Sequence, residues 1–257
     1  KWEKVAHGLK ARYFIHLTKR ASEIGFSPVD SALAQVAMFF DSNNLDLEYQ
    51  YGYNSDETSP YSVGDNDNQL FVNDFYGEQI ITGDPRRGKI VAKKFGKWDV
   101  GPFYSKADSK MPLITYFELK FIEAEARLRI NASDPQIEVA LKEAIRANMQ
   151  KMDTAATLAT INTFIDSHVA LTGDFNNDLN VIMTQKYLAM FLQPEAWTDY
   201  RRTGIPALVP NPAGDNATNV GGGIPRRLPY VWTERELNAN CPAGGVQMQD
   251  RFWWDIE

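Results

Sequence analysis

Apolar residues recur at three- and four-residue steps in six stretches of the chain, a pattern that predicts helices with one buried face. These stretches cover approximately residues 1–22, 29–40, 112–130, 135–151, 158–171 and 179–192. Pro194 ends the last of them and suits the first turn of a shorter helix, which Gly204 then ends. The prediction is an all-α fold in which neighbouring helices, joined by short turns, pack as hairpins.

The spacing also predicts which side chains are buried. In the first helix the predicted face is Trp2, Val5, Ala6, Leu9, Tyr13 and Leu17. In the 112–130 helix it is Phe117, Phe121, Ala124 and Leu128. Thr115 and Glu118 have the spacing of a capping box, in which each side chain binds the backbone amide of the other residue. Asn177 and Asp178 are the predicted cap of the 179–192 helix.

Residues 41–77 interrupt the helices with a polar stretch rich in Asn, Asp, Ser, Gly and Tyr. Alternating apolar and polar residues over 45–51 predict a short strand. Residues 52–68 are predicted to form a long surface loop, a kind of segment that is often functional. The acidic and amide run 65–68 fails as an EF-hand, because Leu70 and Tyr76 occupy the Gly and Glu positions. The run 174–178 does not fit an EF-hand either. An irregular calcium site is left as an alternative, and no other cofactor is expected.

Two other segments lack a helical pattern. Residues 83–103 carry scattered charges, including Arg86 and Arg87, which are typical of a solvated face; a strand or extended arm is predicted at 90–95. The glycines at 221–223 precede Ile-Pro rather than a helix, which favours a flexible loop over a phosphate site.

Further on, the three aromatic residues at 252–254 are predicted to be buried, since three exposed rings would promote aggregation.

Composition excludes several classes of protein. The chain has 257 residues, of which 44 % are hydrophobic and 23 % charged, values that are ordinary for a globular protein. Its net charge of −6, with no long basic run, disfavours a nucleic-acid partner. Cys241 is the single cysteine, so no internal disulfide can form. The sequence has no initiator Met and opens within a helical pattern, so we expect a fragment of a longer protein.

Sequence motifs of the common enzymes are missing. The chain contains no nucleophile elbow, HExxH, Walker loop or dinucleotide fingerprint. His7, His16 and His168 are far apart and lie in helical patterns. We therefore do not expect catalysis. A carbohydrate-active hydrolase on a helical scaffold is the alternative function, because the two carboxylates of a glycosidase are paired in space rather than in sequence.

Three segments together resemble one family. QKYLAMFLQPEAWTDYRRTGIP (185–206) resembles the Trp-x-Asp-(aromatic)-Arg-Arg-Thr-Gly element of SusD/RagB-like outer-membrane nutrient-binding lipoproteins. MPLITYFELKFIEAEARLR (111–129) resembles the family's helix that ends in Ala-Glu-Ala, and IPRRLPYVWTERELNANCP (224–242) resembles its late Pro-Arg-Arg segment. In that last segment Val231 stands where the family often has Pro. The matches keep their order over about half of the chain.

The resemblance implies a fold and a function. The expected fold is a tetratricopeptide-like stack of divergent helical pairs, with 1–257 forming the C-terminal part of a SusD-like domain that carries a loop insertion at about 41–77. Its N-terminal part, with a lipid-bearing Cys, would precede Lys1. The expected function is capture of an oligosaccharide or peptide and its delivery to a SusC-like, TonB-dependent transporter, at the surface of a Bacteroidetes-type outer membrane.

The resemblance also suggests roles for residues. Because ligand contacts in the family come from loops, the ligand-binding candidates are Tyr51, Tyr53, Tyr61 and Tyr76. The residues expected to hold the scaffold together are Trp197, Asp199, Arg201, Arg202, Arg226 and Arg227. We expect the arginines to bind buried carboxylates or carbonyls through both guanidinium edges. In particular, Arg226 or Arg227 is expected to reach Asp199 or Glu195.

Overall fold

The computed structural model describes residues 1–62, 72–94, 96–242 and 246–256. Helices dominate these residues: α1 (Trp2–His16), α2 (Pro28–Val36), α3 (Asp74–Gln79), α4 (Tyr116–Ile130), α5 (Gln136–Met152), α6 (Leu158–His168), α7 (Phe175–Ala189), α8 (Pro194–Thr203) and α9 (Trp232–Leu237). Strand β1 (Leu47–Gln50) pairs antiparallel with β4 (Lys110–Ile114), and β2 (Val91–Lys94) pairs with β3 (Lys97–Val100). The mainly helical architecture confirms the predicted fold class.

Helix α4 lies at the centre of the molecule and is buried on two sides. Phe117, Phe121 and Leu128 face the larger apolar cluster, which α5, α6 and α7 complete. Leu119 and Ile122 face a second cluster built with α1 and α2. The predicted face of this helix is confirmed, and the structure adds a second buried apolar face that the prediction did not include.

Helices that follow one another in the chain pack against each other, as expected for stacked hairpins. Contacts join α1 with α2, α4 with α5, and α5 with α6, while α2 and α7 also pack on α4. The connections at 131–135 and 153–157 are short, which brings each helix back along its predecessor. The stack therefore forms a firm support for the segments between α2 and α4.

The predicted face of α1 is wrong in part. Trp2 and Tyr13 are 74 % and 59 % exposed, whereas Gly8 and Ala11 are among the residues that the helix buries. These small residues let α1 approach its neighbours closely: a Cβ added to Gly8 would lie 2.5 Å from the ring of Phe39. Close approach of the α1 backbone to the Phe39 ring thus accounts for the orientation of the helix, which leaves Trp2 and Tyr13 outside. The helix also ends at His16, where a 3₁₀ turn begins.

The caps agree only partly with the predictions. The Thr115 hydroxyl accepts the Glu118 amide at 3.3 Å, as expected. The Glu118 carboxylate does not return to the cap, because it binds the Arg12 guanidinium at 2.6 Å. Asp174, rather than the predicted pair three and four residues later, caps α7. Asp178 is buried and accepts hydrogen bonds from the turn before α7.

The segment 80–104 is less exposed than its charges predicted. Arg86 is fully buried and donates to the Asp84 carboxylate at 2.7 Å, so it does not belong to a solvated face. The hairpin β2–β3 places Trp98 in the larger cluster, where a Cβ added to Gly77 would clash with its ring at 2.3 Å. This region is therefore part of the main body.

Candidate functional site

The antiparallel pair β1–β4 carries Tyr49, and Tyr51 follows directly after β1. Tyr49 is 55 % exposed and its ring meets that of Tyr51 edge to face, with centroids 5.0 Å apart. The backbone amide of Tyr51 donates to Ser109 O at 3.2 Å, which extends the pairing beyond β4. Side chains alternate between the faces of a strand, so Glu48 and Gln50 lie on the opposite face from the tyrosines.

The loop after β1 presents Tyr53 to solvent. Its side chain is 77 % exposed, and its hydroxyl donates to the Asp108 carboxylate at 2.6 Å. The hydrogen bond to Asp108, and then the negative charge of that group, raise the pKa of the Tyr53 hydroxyl. The loop is held by Gln50, which donates to Asp108 O at 2.6 Å, and by the Gly52 amide, which donates to Glu57 O at 2.9 Å. Tyr53 is thus an exposed ring on a braced loop.

A polar groove of about 710 Å³ lies next to this loop. Three segments form it, namely 42–48, 102–110 and 150–154. Its lining is Ser42, Asn43, Asn44, Glu48, Pro102, Phe103, Lys106, Asp108, Ser109, Lys110, Gln150, Lys151 and Thr154. Asp108 belongs to both features, since it lines the groove and binds Tyr53. We call the groove together with Tyr53 the tyrosine groove; Tyr49 and Tyr51 lie on the face of the strand opposite Glu48, which lines the groove.

An ion cluster fixes the wall of the tyrosine groove to the helices. Lys151, near the end of α5, lies 2.7 Å from the Asp46 carboxylate and 2.8 Å from that of Glu48. Asp46 also accepts the Tyr116 amide at 2.7 Å, where α4 begins. Burial raises the pKa of Asp46, although Lys151 acts in the opposite direction. The groove is therefore built on the ends of the two central helices.

The other two tyrosine candidates lie elsewhere. Tyr61 is half-buried and packs edge to face on Tyr104, with centroids 6.5 Å apart; burial raises the pKa of its hydroxyl. Tyr76 is 4 % exposed, and its hydroxyl donates to Leu188 O at 2.7 Å. The interpretation of Tyr76 as a ligand contact is wrong, because α3 places it in the main apolar cluster.

The tryptophan–arginine element joins α8 to the chain that follows. The Trp197 indole donates to Pro225 O at 2.6 Å, and the Arg201 guanidinium lies 3.9 Å from the Trp197 ring centroid. Arg201 also donates to Arg226 O at 2.9 Å and lies 4.8 Å from the Trp254 ring centroid. Arg201 thus holds the late segment of the chain against α8.

Arg202 lies in a buried ion network. Its guanidinium donates to both carboxylate oxygens of Glu125 on α4, one of them at 2.7 Å, and to Asp199 at 2.7 Å. Lys186 on α7 lies 2.7 Å from the other Asp199 oxygen. Burial opposes ionisation of Glu125, yet Arg202 and Arg129 outweigh it and hold the pKa of that carboxyl well below its usual range. The network therefore links α4, α7 and α8.

Arg226 and Arg227 reach other partners than those expected. Arg226 donates to the fully buried Asp255 at 2.7 Å, and not to Asp199 or Glu195. Arg227 lies over the Phe252 ring, 5.0 Å from its centroid. The preference has a physical reason, since Lys186 and Arg202 already bind Asp199.

The aromatic residues at 252–254 are only partly buried. Phe252 and Trp254 pack beside the arginines, with their own rings stacked at 6.1 Å. Trp253 is 63 % exposed, so the prediction of burial is wrong for it. The chain turns here, with the Asp255 amide donating to Phe252 O at 3.0 Å, and the turn leaves the middle ring outside.

Within the part of the chain that the structure describes, no group of three or more His, Cys, Asp or Glu side chains is placed to hold a metal ion. The run 65–68 lies outside the described residues. His16 binds Glu195 at 2.9 Å, and His168 contacts Phe164 O at 2.9 Å, so both are engaged within the fold.

Comparison with known proteins places the chain in a family. Residues 100–231, just over half of the sequence, match the model of the family described as SusD-like, starch-binding and associating with the outer membrane. The chain belongs to the SusD-like family. None of the curated proteins compared with this SusD-like chain is similar to it in sequence.

Solved structures of SusD-like proteins share the fold. A SusD homolog from Bacteroides fragilis has a TM-score of 0.73 and 21 % identity over 92 % of this chain and 62 % of its own. A SusD/RagB family protein from Bacteroides thetaiotaomicron has a TM-score of 0.70 and 23 % identity, over 99 % of this chain and 64 % of its own. A chitin-binding SusD homolog from Flavobacterium johnsoniae has a TM-score of 0.74 and 20 % identity, over 100 % of this chain and 64 % of its own. The chain thus spans less than two thirds of the length of these three proteins.

Sequence reasoning missed most of the lining of the SusD-like chain's groove. Lys106, Asp108 and Lys151 belong to segments with no common pattern, and the fold alone brings them together. One indication was present. A helix capped by Thr115 leaves 110–114 free to extend and to pair with the strand at 45–51, which would have brought residues 106–110 beside Tyr51 and Tyr53. No helix among the described residues is long and apolar enough to cross a bilayer.

Proposed function

We propose that this SusD-like chain captures a glycan at the outer membrane without catalysing a reaction. The observation that carries the proposal is the tyrosine groove, an open polar groove beside the exposed ring of Tyr53 on the SusD-like helical stack. A chitin-binding neighbour with the same fold supports a sugar as the ligand class.

The side chains of the tyrosine groove suit a sugar physically. A flat ring such as that of Tyr53 offers apolar area against the C–H face of a pyranose, while its edge stays polar. Asp108, Ser109 and Gln150 supply acceptors and donors for hydroxyl groups along one side of such a ligand. The braced loop keeps the ring in place before binding, which lowers the entropic cost of capture. No metal or cofactor is needed for recognition of this kind.

The place of capture follows from the family. Its association with the outer membrane supports a lipid-anchored protein exposed at the cell surface. There the chain would hand its ligand, an oligosaccharide or alternatively a peptide, to a SusC-like TonB-dependent transporter. Co-purification of the full-length protein with such a barrel from outer membranes tests this partnership, and recovery of the protein without any barrel would contradict it.

Affinity electrophoresis and calorimetry with a set of glycans, chitin oligosaccharides included, test the capture itself. We expect Tyr53→Ala to weaken binding about two- to tenfold, the equivalent of about 0.5–1.5 kcal/mol for one aromatic contact. The matched control is Tyr13→Ala, which removes a ring that is also exposed but lies on α1. Equal affinity of the Tyr53→Ala and natural proteins would contradict the assigned site.

The same samples decide between capture and hydrolysis. A reducing-sugar assay with each bound glycan should detect no release above the background of the buffer. Turnover that survives purification to homogeneity would replace the proposal with the alternative of a carbohydrate-active hydrolase. Binding without turnover supports capture.

A further inference from the structure

Asp108 lies where the loop after β1 meets the polar groove. The turn that carries it is closed by the Ser109 amide, which donates to Lys106 O at 3.1 Å. Two hydrogen bonds tie this turn to the end of β1: Gln50 donates to Asp108 O at 2.6 Å, and the Tyr51 amide donates to Ser109 O at 3.2 Å. The backbone of Asp108 is therefore fixed before any ligand binds.

The Asp108 carboxylate binds the Tyr53 hydroxyl through one oxygen only. The hydroxyl lies 2.6 Å from Oδ2, within the range of about 2.5–2.7 Å for a hydroxyl that donates to an ionised carboxylate. The other oxygen, Oδ1, accepts no hydrogen bond from the residues that the structure describes. Both oxygens of a carboxylate are acceptors. Because Asp108 lines the groove, Oδ1 is left for a ligand that enters it.

The same hydrogen bond restrains the Tyr53 ring. Tyr53 is 77 % exposed, so packing does not hold its side chain. An unrestrained side chain is distributed over three staggered rotamers at χ1. A ligand that stacks on the ring in one rotamer binds with an affinity reduced in proportion to the fraction of molecules that have it. Retention of one rotamer by Asp108 therefore raises the affinity by up to about threefold.

We infer that Asp108 positions the Tyr53 ring with one carboxylate oxygen and receives a hydroxyl group of the bound sugar with the other. The inference rests on the proposed function and narrows its ligand class. A hydroxyl that donates to a carboxylate makes a charge-assisted hydrogen bond, which is about twice as strong as one between neutral groups. The ligand is thus a glycan with an unsubstituted hydroxyl beside the sugar ring that stacks on Tyr53.

Calorimetry with chitin tetrasaccharide, or with the glycan that binds most tightly in its place, tests both roles. Tyr53→Phe keeps the ring and removes its bond to Asp108, so it should weaken binding by up to about threefold. Asp108→Ala also removes the acceptor of the sugar hydroxyl and should weaken binding about tenfold or more. The matched control is Tyr116→Phe, which removes a hydroxyl that donates to Glu143 at 3.3 Å outside the groove. It should bind like the natural protein.

A double variant separates positioning from direct contact. In Asp108→Ala the Tyr53 hydroxyl has lost its partner, so the addition of Tyr53→Phe should change the affinity no further. If Tyr53→Phe weakens binding by the same factor with and without Asp108, the hydroxyl acts on the ligand by itself and the positioning role is wrong.

An O-methylated form of the same glycan tests the sugar contact. Methylation removes the hydrogen that a hydroxyl donates, so it should weaken binding to the natural protein more than binding to Asp108→Ala. Equal losses in the two proteins would overturn the contact between Asp108 and the sugar.

The bond between Tyr53 and Asp108 can also be measured without a ligand. Asp108 raises the pKa of the Tyr53 hydroxyl, and the difference in absorbance between proteins with and without Tyr53→Phe isolates its titration. In Asp108→Ala the pKa of Tyr53 should fall towards the ordinary tyrosine value of about 10. The same pKa in both backgrounds would overturn the positioning role.

The outcomes distinguish the inference from the proposed function. If Asp108→Ala binds the glycan as tightly as the natural protein does, the inference is overturned and glycan capture is left intact. If the natural protein binds no glycan, the proposed function fails, and the inference fails with it.

Discussion

Replacement of Arg202 by alanine tests whether the buried ion network holds the helices together. The guanidinium is fully buried and binds both Glu125 and Asp199. Arg202→Ala leaves these two carboxylates in the core with one cation fewer. Loss of one partner from a buried ion pair costs about 3–5 kcal/mol, mostly because the remaining charge stays desolvated.

The structure narrows this range. Glu125 keeps the Arg129 guanidinium at 2.8 Å, and Asp199 keeps the Lys186 ammonium at 2.7 Å. Both carboxylates therefore retain one partner, and we expect the lower end, about 3 kcal/mol. In a domain of this size each kcal/mol lowers the melting temperature by about 2–4 °C, so the expected decrease is about 6–12 °C.

Urea unfolding followed by circular dichroism, together with calorimetry at pH 7, measures the change. The control is Arg235→Ala on the exposed face of α9, for which we expect a change of less than about 0.5 kcal/mol. Arg202→Ala combined with Glu125→Gln should recover part of the loss, since the second substitution removes a buried charge. A change in the free energy of unfolding below about 1 kcal/mol for Arg202→Ala would refute the reasoning.

Three further predictions concern the scaffold. Arg201→Ala removes the contact with Trp197 and should lower the free energy of unfolding by about 2 kcal/mol. The melting temperature should therefore fall while the affinity for glycan stays unchanged. An unchanged melting curve with lost binding would reverse this assignment. Gly8→Ala should cost about 1–3 kcal/mol in urea unfolding, because its Cβ would meet the Phe39 ring at 2.5 Å. Acid should destabilise the protein: the pKa of Glu125 is lowered on folding, so its contribution is complete above the unfolded-state pKa of about 4.3 and decreases as pH falls below it. A pH titration of the melting temperature that stays flat from pH 6 to 3 would contradict this.

The sequence predicted the helices well because their apolar spacing is a local property. The predicted face of α4 is confirmed, since large residues at regular steps there meet equally large neighbours. The orientation of α1 could not be predicted in this way. It depends on the small residues Gly8 and Ala11 that the helix buries, and the neighbours of Gly8, which are Phe39 and Ile114, come from distant parts of the chain.

The candidate site was predictable in one part only. Tyr53 is exposed, which agrees with the surface loop predicted for residues 52–68, and its interpretation as a ligand contact stays a prediction. Tyr76 was misplaced because the Asn73 side chain caps a short helix there, and that helix turns the ring into the core. The groove could not be inferred from a periodic pattern, since Lys106 and Lys151 become neighbours only through the pairing of β1 with β4 and the position of α5.

The two-sided burial of α4 has a consequence for how this molecule comes apart. If either apolar cluster loses its packing, one buried face of α4 becomes exposed to solvent. The pair α1 and α2 on one side and the helices α5 to α7 on the other therefore pack on the same helix, and their unfolding is coupled through it. A disturbance that begins at either end of the chain should spread to the whole body rather than stay local.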